Sequence, residues 1–485
     1  MSAPEPLRVV ILGDGVAGWA AAAMLARALP ASRYSIRLVP TGRPDDSLGP
    51  FGDAEATLPA IRGFHVRLGL DEDRLVRRFD VTYALGIAYS GWSSAAPTSF
   101  LPFGDIGAPL GGIPFHQLAG RVRASGEEVR FGNFSVATIA AQMGRFARPS
   151  DDPSSVLSTY SYGLHLPLDG YAKALRDLAL GRDVRIVESP FAAPEPDSEG
   201  RLAGLRLASG ESEAGDLFID ASGPSALLSE GALGAGFESW RSWLPCDRAA
   251  ASRSATPVPP APYSHIEAGT AGWRRVIPCR GGVSELVLSS SRAADAAGIA
   301  FEAGRRKRPW VRNCVAVGAA AATAEPLRST SLQLLDRQLA RLLRLFPASR
   351  HSTAEAAEYN RETNDELDRL RDWLILPYKL NDRRGEPFWD EVRYMAVPDP
   401  LARKIALYQS RGRVPLVDGD MFEEAEWVAA FDALGVRPRR HDARADAVPL
   451  DRIRRHLASV RSIMLDSAAK LPPHRDYLAA LDGAA

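Results

Sequence analysis

Lysine is scarce in this chain. Of 485 residues 59 are basic, and only five of those are lysines: Lys173, Lys307, Lys379, Lys404 and Lys470. The rest are Arg, the bias of an Arg-rich genome, and any chemistry that needs a lysine amine has five places to find one. Cysteine is scarcer still. Cys246, Cys279 and Cys314 are far apart and odd in number, with no CxxC or Cys/His ligand spacing. That excludes a disulfide framework and a zinc site, implies no metal, and fits a reducing cytoplasm. Net charge is absent too, with 59 basic against 59 acidic residues, so nothing draws the whole chain to nucleic acid or an anionic membrane surface. Long apolar runs are missing: the stretch Gly15–Ala26 covers 12 residues, short of the ~20 a membrane helix needs. Its flank has a lone Arg8 after an acidic, proline-containing start, unlike a secretory signal. No repeat of 20–50 residues is visible.

What remains is an ordinary globular composition, 46% apolar and 24% charged. A length of 485 residues predicts two or three structural units. Leu7–Leu12 reads as a strand buried on both faces, Val16–Leu29 as a small-residue helix and Tyr34–Val39 as a second strand, together a βαβ unit. Leu58–Leu68 and Asp169–Ala179 read as helices, Val184–Val187 and Cys314–Val317 as short strands. Arg201–Gly223 reads as a hairpin-like β unit ending in Leu217–Asp220. Residues 252–262 form a proline-rich connector. From Ser331 the pattern turns helical, over Leu332–Leu345, Ala354–Trp373, Asp399–Arg411, Phe422–Leu434 and Leu450–Leu471. The expected architecture is an α/β module over 1–346, with substrate-facing loops inserted around 84–160, and a helical region over 347–485.

Gly13-Asp14-Gly15-Val16-Ala17-Gly18 is GxGxxG placed between strand and helix. The first glycine permits the tight turn, the second lets backbone approach a pyrophosphate, and the third lets helix and strand pack closely. The helix N-terminus adds unpaired N–H groups and positive potential. Dinucleotide binding is the expectation. One part is missing: the second strand should end in Asp or Glu for the ribose hydroxyls, yet Val39 is followed by Pro40 and Thr41. Asp45 or Asp46 are the candidate substitutes, and weakened cofactor affinity is expected.

Several further segments resemble the flavin-dependent tryptophan halogenases. They include Glu55–Glu72 (EATLPAIRGFHVRLGLDE), DLFIDASG ending at Gly223, Gly231–Ala249, and AGWRRVIP at Ala271–Pro278, which is similar to the family's GWxWxIP box. Others are GRRKRPWVRNCVAVG, EPLRSTS at Glu325–Ser331, Tyr359–Leu380 and Pro387–Asp399. The resemblance covers roughly residues 7–480. It implies a Rossmann-like FAD-binding fold of the flavin monooxygenase and halogenase type. It also implies FAD reduced by a separate flavin reductase, an aromatic small-molecule substrate, and a place in secondary metabolism. Reduced flavin, O2 and halide give hypohalous acid, which reaches the substrate with the help of a Lys and a Glu. By the resemblance Gly13, Gly15, Val16, Ala17, Gly18, Glu55, Ala56, Thr57 and Gly318 bind the cofactor. Ser329, Thr330 and Ser331 form the halide turn, an anion nest of backbone N–H groups.

Departures from the family pattern fall on the chemistry. The family's Lys, in a TFKLGI-type segment, is Ala84 here; its Glu, in EPLEST, is Arg328; the second Trp of the box is Arg275; the His of the HPFG-type loop is Leu101, ahead of Phe103. Alanine carries no amine, and arginine stays protonated and cannot act as a base. None of the five lysines matches the lost position. Ala84, Phe103, Trp273 and Arg328 therefore frame a substrate pocket without an assigned catalytic residue. Arg328 offers a fixed charge for an anionic ligand, or pairs with an acid such as Glu325.

His165 is read as a hydrogen-bonded structural residue that could line the flavin cleft, and His116 as bordering the substrate loop or packing. Arg305-Arg306-Lys307-Arg308 is read as a solvated turn. Three functions stay open: an FAD-dependent oxidoreductase or monooxygenase on an aromatic or indole-like molecule without Lys-dependent halogenation; an unorthodox halogenase; and a non-catalytic relative acting as a binding partner. Homodimerisation stays open as well.

Overall fold

The computed structural model describes residues 6–44, 46–94, 97–254, 259–293, 296–347 and 353–483. The chain divides into two compact units, each assembled from three segments. Unit 1 takes residues 1–80, 166–250 and 298–368; unit 2 takes 81–165, 251–297 and 369–485. The division anticipated at 346/347 follows secondary-structure content along the chain. Compactness follows long-range contacts instead, so Val81–His165 groups as a block with the C-terminal helices.

Unit 1 is built on a six-stranded sheet in the order Trp310–Val311, Cys314–Ala316, Leu217–Asp220, Leu7–Leu12, Tyr34–Val39, Arg185–Ile186. The pairs centred on Leu7–Leu12 are parallel, with Val9 opposite Leu217 and Ile36. Strands buried on both faces must be apolar throughout, and Val9 to Leu12 are all fully buried. The helix Val16–Ala28 returns the chain between the first two strands, and its residues 16–25 are all buried. Small side chains allow this, because the helix Leu168–Leu180 packs closely on it. Leu217–Asp220 is a correction to the hairpin reading. Leu202–Leu207 does pair with Ser212–Ala214, but Leu217–Asp220 leaves for the central sheet, where an all-apolar strand belongs.

Unit 2 centres on a sheet in which Gly282–Ser289, Gly272–Cys279, Ser264–Ala268, Gly86–Ser90 and Thr98–Pro102 lie side by side. Thr82–Ala84 pairs separately with Gly163–Pro167. The remaining mass is helical. Asp399–Arg411 matches its sequence reading at both ends, and Gly412 closes it in the left-handed conformation with its N–H on the Tyr408 carbonyl. The helix Thr353–Lys379, of which residues 369–379 belong to this unit, runs past the expected end at Trp373 and through Pro377. Pro377 has no N–H, so the helix makes no i to i−4 hydrogen bond from that position. Among the described residues no helix is long and apolar enough to cross a membrane.

The basic cluster also differs from its reading. Gly304–Arg306 is a strand, and Arg305 and Arg306 are buried. Arg305 pairs with Asp368 at 3.0 Å and Glu238 at 2.9 Å, and Arg306 with Glu230 at 3.3 Å. Partners distant in sequence satisfy charges that locally look destined for water. Only Lys307 and Arg308 of the four are exposed.

Candidate functional site

In unit 1 the glycine turn is packed to its limit. A Cβ on Gly18 would lie 1.9 Å from the Gly13 carbonyl oxygen, and one on Gly13 would lie 2.5 Å from the Ala221 oxygen. Gly13 donates its N–H to the Val39 carbonyl at 2.9 Å, which clamps the turn over the end of the second strand. Side-chain-free backbone at a helix start is the cradle a pyrophosphate requires. Gly15 is the N-cap residue of that helix and contributes no side chain to the cap.

Two loops close on this turn. Ser47 accepts the Ala17 N–H on its Oγ at 3.1 Å, and its carbonyl accepts the Ala319 N–H at 2.8 Å. Gly318, at φ +60°, comes so near that a Cβ would meet the Ser47 oxygen at 2.5 Å and the Ala17 Cβ at 3.0 Å. Its N–H is held by Gln338 at 2.8 Å. The structure thus brings Val16, Ala17, Gly18 and Gly318 together. Glu55, Ala56 and Thr57 are buried in the same unit. Ser47 and Gln338 were missed in sequence, where a polar loop serine and a helical glutamine carry no distinguishing signal.

Asp45 lies outside the described residues. Asp46 turns toward the Ala221–Gly223 corner, where a Cβ on Gly223 would meet its Oδ1 at 2.0 Å. Asp220 is committed to structure: its Oδ2 accepts the N–H of Leu228 and of Ser229 at 3.0 and 2.7 Å, and its Oδ1 the Ser222 hydroxyl at 2.6 Å. Asp14 is bonded at the end of the second strand. Its Oδ1 accepts the Thr41 N–H at 3.2 Å, just beyond the second strand.

Ser329 and Thr330 precede the helix Ser331–Arg344, whose first residue is Ser331. Ser329 is at φ +59°, one of five non-glycine positive values among the described residues. Thr330 follows at φ −98° and ψ −5°. A left-handed residue followed by a right-handed one turns successive N–H groups to one side, the geometry of an anion nest. Holding a serine there costs roughly 1–3 kcal/mol. Arg328, immediately before it, is 1% exposed.

Unit 2 gathers Ala84, Phe103 and Trp273, all buried. Phe103 donates its N–H to the Leu85 carbonyl at 2.9 Å. Thr82 donates its hydroxyl to the Pro278 carbonyl at 2.7 Å, tying the Ala84 strand to the end of the GWRRVIP box. Trp273 donates its indole N–H to the Tyr378 hydroxyl at 3.0 Å, and Tyr378 stacks on Trp389. Arg275 is fully embedded, opposite Leu286 and Ile266 in the sheet. None of the four predicted pocket residues lines the apolar cavity between Tyr89, Trp92, Leu101 and Trp373, which has a volume of only about 10 Å³, room for about one water.

Three histidines of unit 2 are each held by a backbone carbonyl. His165 Nδ1 lies 3.1 Å from the Pro278 carbonyl and 2.9 Å from Thr82 Oγ1, and burial pushes its pKa down to about 3. His474 Nε2 accepts the Tyr83 N–H at 3.4 Å and its Nδ1 donates to the Pro260 carbonyl at 3.0 Å. Burial takes His474 down to about 4. His116 donates from Nε2 to the Gly412 carbonyl at 3.0 Å, a packing role. Of unit 2's lysines, Lys379 binds the Arg393 and Met395 carbonyls, Lys404 binds Asp420 and the Pro415 carbonyl, and Lys470 is exposed at a helix end.

A parallel sheet, a glycine turn at its carboxyl edge and a second loop closing on that turn define a dinucleotide-binding type of module. The chain belongs to the tryptophan halogenase family, whose model matches residues 8–450. It is similar in structure to a flavin-dependent halogenase from Brevundimonas sp. BAL3, with 36% identity, a TM-score of 0.92, and coverage of 99% of this chain and 100% of that one. A flavin-dependent halogenase from Xanthomonas campestris gives 32% identity, a TM-score of 0.91 and 99% coverage of both. In sequence it is 26% identical to the tryptophan 6-halogenase SttH of Streptomyces toxytricini, over 99% of each chain. Membership implies FAD and an external flavin reductase.

Proposed function

We propose that this protein is an FAD-dependent oxidoreductase acting on an aromatic small molecule, by a route other than lysine-dependent halogenation. One observation carries the reading: the family's lysine position is Ala84, a buried residue on a paired strand. The lysines of the same unit are bonded elsewhere or exposed at a helix end. A missing amine cannot be supplied by rotamer change, and Arg328 cannot replace a carboxylate that accepts a proton.

The cofactor side is supported by what the chain keeps. Gly13, Gly15, Val16, Ala17 and Gly18 would hold the pyrophosphate, with Glu55, Ala56, Thr57 and Gly318 bordering the flavin. Bound FAD supplies electron transfer and the activation of O2. The chain's own residues orient and exclude: Trp273 is fixed by Tyr378, and Arg275 puts a guanidinium where the family box has an indole. Arg328, beside the Ser329–Thr330 nest, favours a ligand carrying negative charge, such as a carboxylated aromatic.

The test is a flavin absorption spectrum followed by turnover. A yellow preparation, or one that takes up added FAD, is expected. Reduced flavin, O2 and bromide with a panel of aromatics should give oxidised products without halogen. A bromine mass gain would overturn the non-halogenating reading. A colourless protein that rejects FAD would favour the non-catalytic binding role.

A further inference from the structure

The second strand ends without an acid, yet an acid sits at that end. Asp14 is the residue between the first two glycines of the turn, and it is exposed. The turn is bound over the strand end by the Gly13 N–H on the Val39 carbonyl at 2.9 Å. From there the Asp14 carboxylate reaches forward, and Oδ1 accepts the N–H of Thr41, two residues past the strand, at 3.2 Å. Its other oxygen has no partner among the described residues. Thr41 in turn accepts the Arg43 N–H on its Oγ1 at 3.2 Å, so the loop that follows is folded around this contact.

A dinucleotide held on this turn presents its adenosine ribose at the end of the second strand, where a carboxylate accepts from the 2′ and 3′ hydroxyls. Pro40 offers no such group. We infer that Asp14 supplies the ribose-binding carboxylate from the turn itself, in place of the strand-end acid. This rests on the flavin reading above. Oδ1 is anchored by backbone and Oδ2 is open to a hydroxyl, so the side chain is held for the ligand before it arrives. The same negative charge opposes a 2′-phosphate, so the site takes an unphosphorylated adenosine ribose. The neighbouring Arg43 would favour the opposite choice if it dominated.

Calorimetric titration of the full chain with ADP, 2′-deoxy-ADP and adenosine 2′,5′-bisphosphate tests this. ADP should bind tightest, and Asp14→Asn, which keeps an acceptor for Thr41, should weaken it at least about tenfold while erasing the preference over 2′-deoxy-ADP. Asp46→Asn should leave that preference intact. Persistence of the preference in Asp14→Asn, its loss in an Asp45 or Asp46 variant instead, or stronger binding of the bisphosphate would overturn the assignment to Asp14 while leaving nucleotide binding standing. Failure of the wild-type chain to bind ADP at all would remove the flavin reading and the Asp14 role together.

Discussion

Ser47 holds the backbone N–H of Ala17 at 3.1 Å, across 30 residues of sequence and inside the first turn of the helix that follows the glycines. It works as an N-cap supplied from a distance, since Gly15 has no side chain to do so. Ser47→Ala should lower stability by about 1 kcal/mol, the usual value of a lost cap. Urea unfolding followed by circular dichroism measures it; an unchanged midpoint would mean the N–H finds another acceptor.

Gly18→Ala should be far more damaging to the cofactor than to the rest of the fold. Its Cβ would sit 1.9 Å from the Gly13 oxygen, a contact that backbone movement alone can relieve. Moving the turn takes the N–H groups off a bound pyrophosphate. The variant should lose flavin on gel filtration while retaining its far-ultraviolet spectrum. Flavin retained at the wild-type ratio would show that the turn does not hold it.

Acid should destabilise the protein below pH 6.5. His165 and His474 titrate near 6.5 when unfolded but are held at about 3 and about 4 in the fold, burial being the main cause. The unfolded chain therefore takes up protons that the native state refuses. Stability is complete above 6.5 and is lost as pH falls toward the native values, by about 2 kcal/mol per histidine at pH 5. His474→Asn should reduce the fall between pH 7 and pH 5; an identical fall would place the proton uptake elsewhere.

Arg328→Glu should weaken an anionic aromatic more than its neutral counterpart. Indole-3-carboxylate and indole-3-carboxamide, compared by equilibrium dialysis, separate charge from ring. A buried guanidinium bonded to a carboxylate contributes about 1.5–3 kcal/mol, so the acid should lose at least about tenfold. Equal losses for acid and amide would assign Arg328 a purely structural role.

The two ends of the chain's logic were unequally legible. The strand Leu7–Leu12, its glycines and the helix Asp399–Arg411 declare themselves locally, through continuous apolar runs, obligatory backbone conformations and a closing glycine. The cluster Arg305-Arg306-Lys307-Arg308 did not. Its first two guanidiniums are buried only because Asp368, Glu238 and Glu230 arrive from other segments. Leu217–Asp220 likewise looked like the end of a hairpin until Leu7–Leu12 and Cys314–Ala316 took it between them.

The sequence by itself determined the dinucleotide turn, the helical C-terminal third and the presence of Ala84 and Arg328 at the positions where the resemblance leads one to expect a lysine and a glutamate. Those depend on residue identity at fixed spacing, and folding cannot restore an amine that Ala84 does not have. The tertiary structure decided what surrounds the turn. Ser47 against Ala17, Gly318 against both, and Asp14 reaching Thr41 are contacts across chain separations that no local period encodes. They exist because a parallel sheet brings the ends of its strands, and the loops that follow them, to one edge.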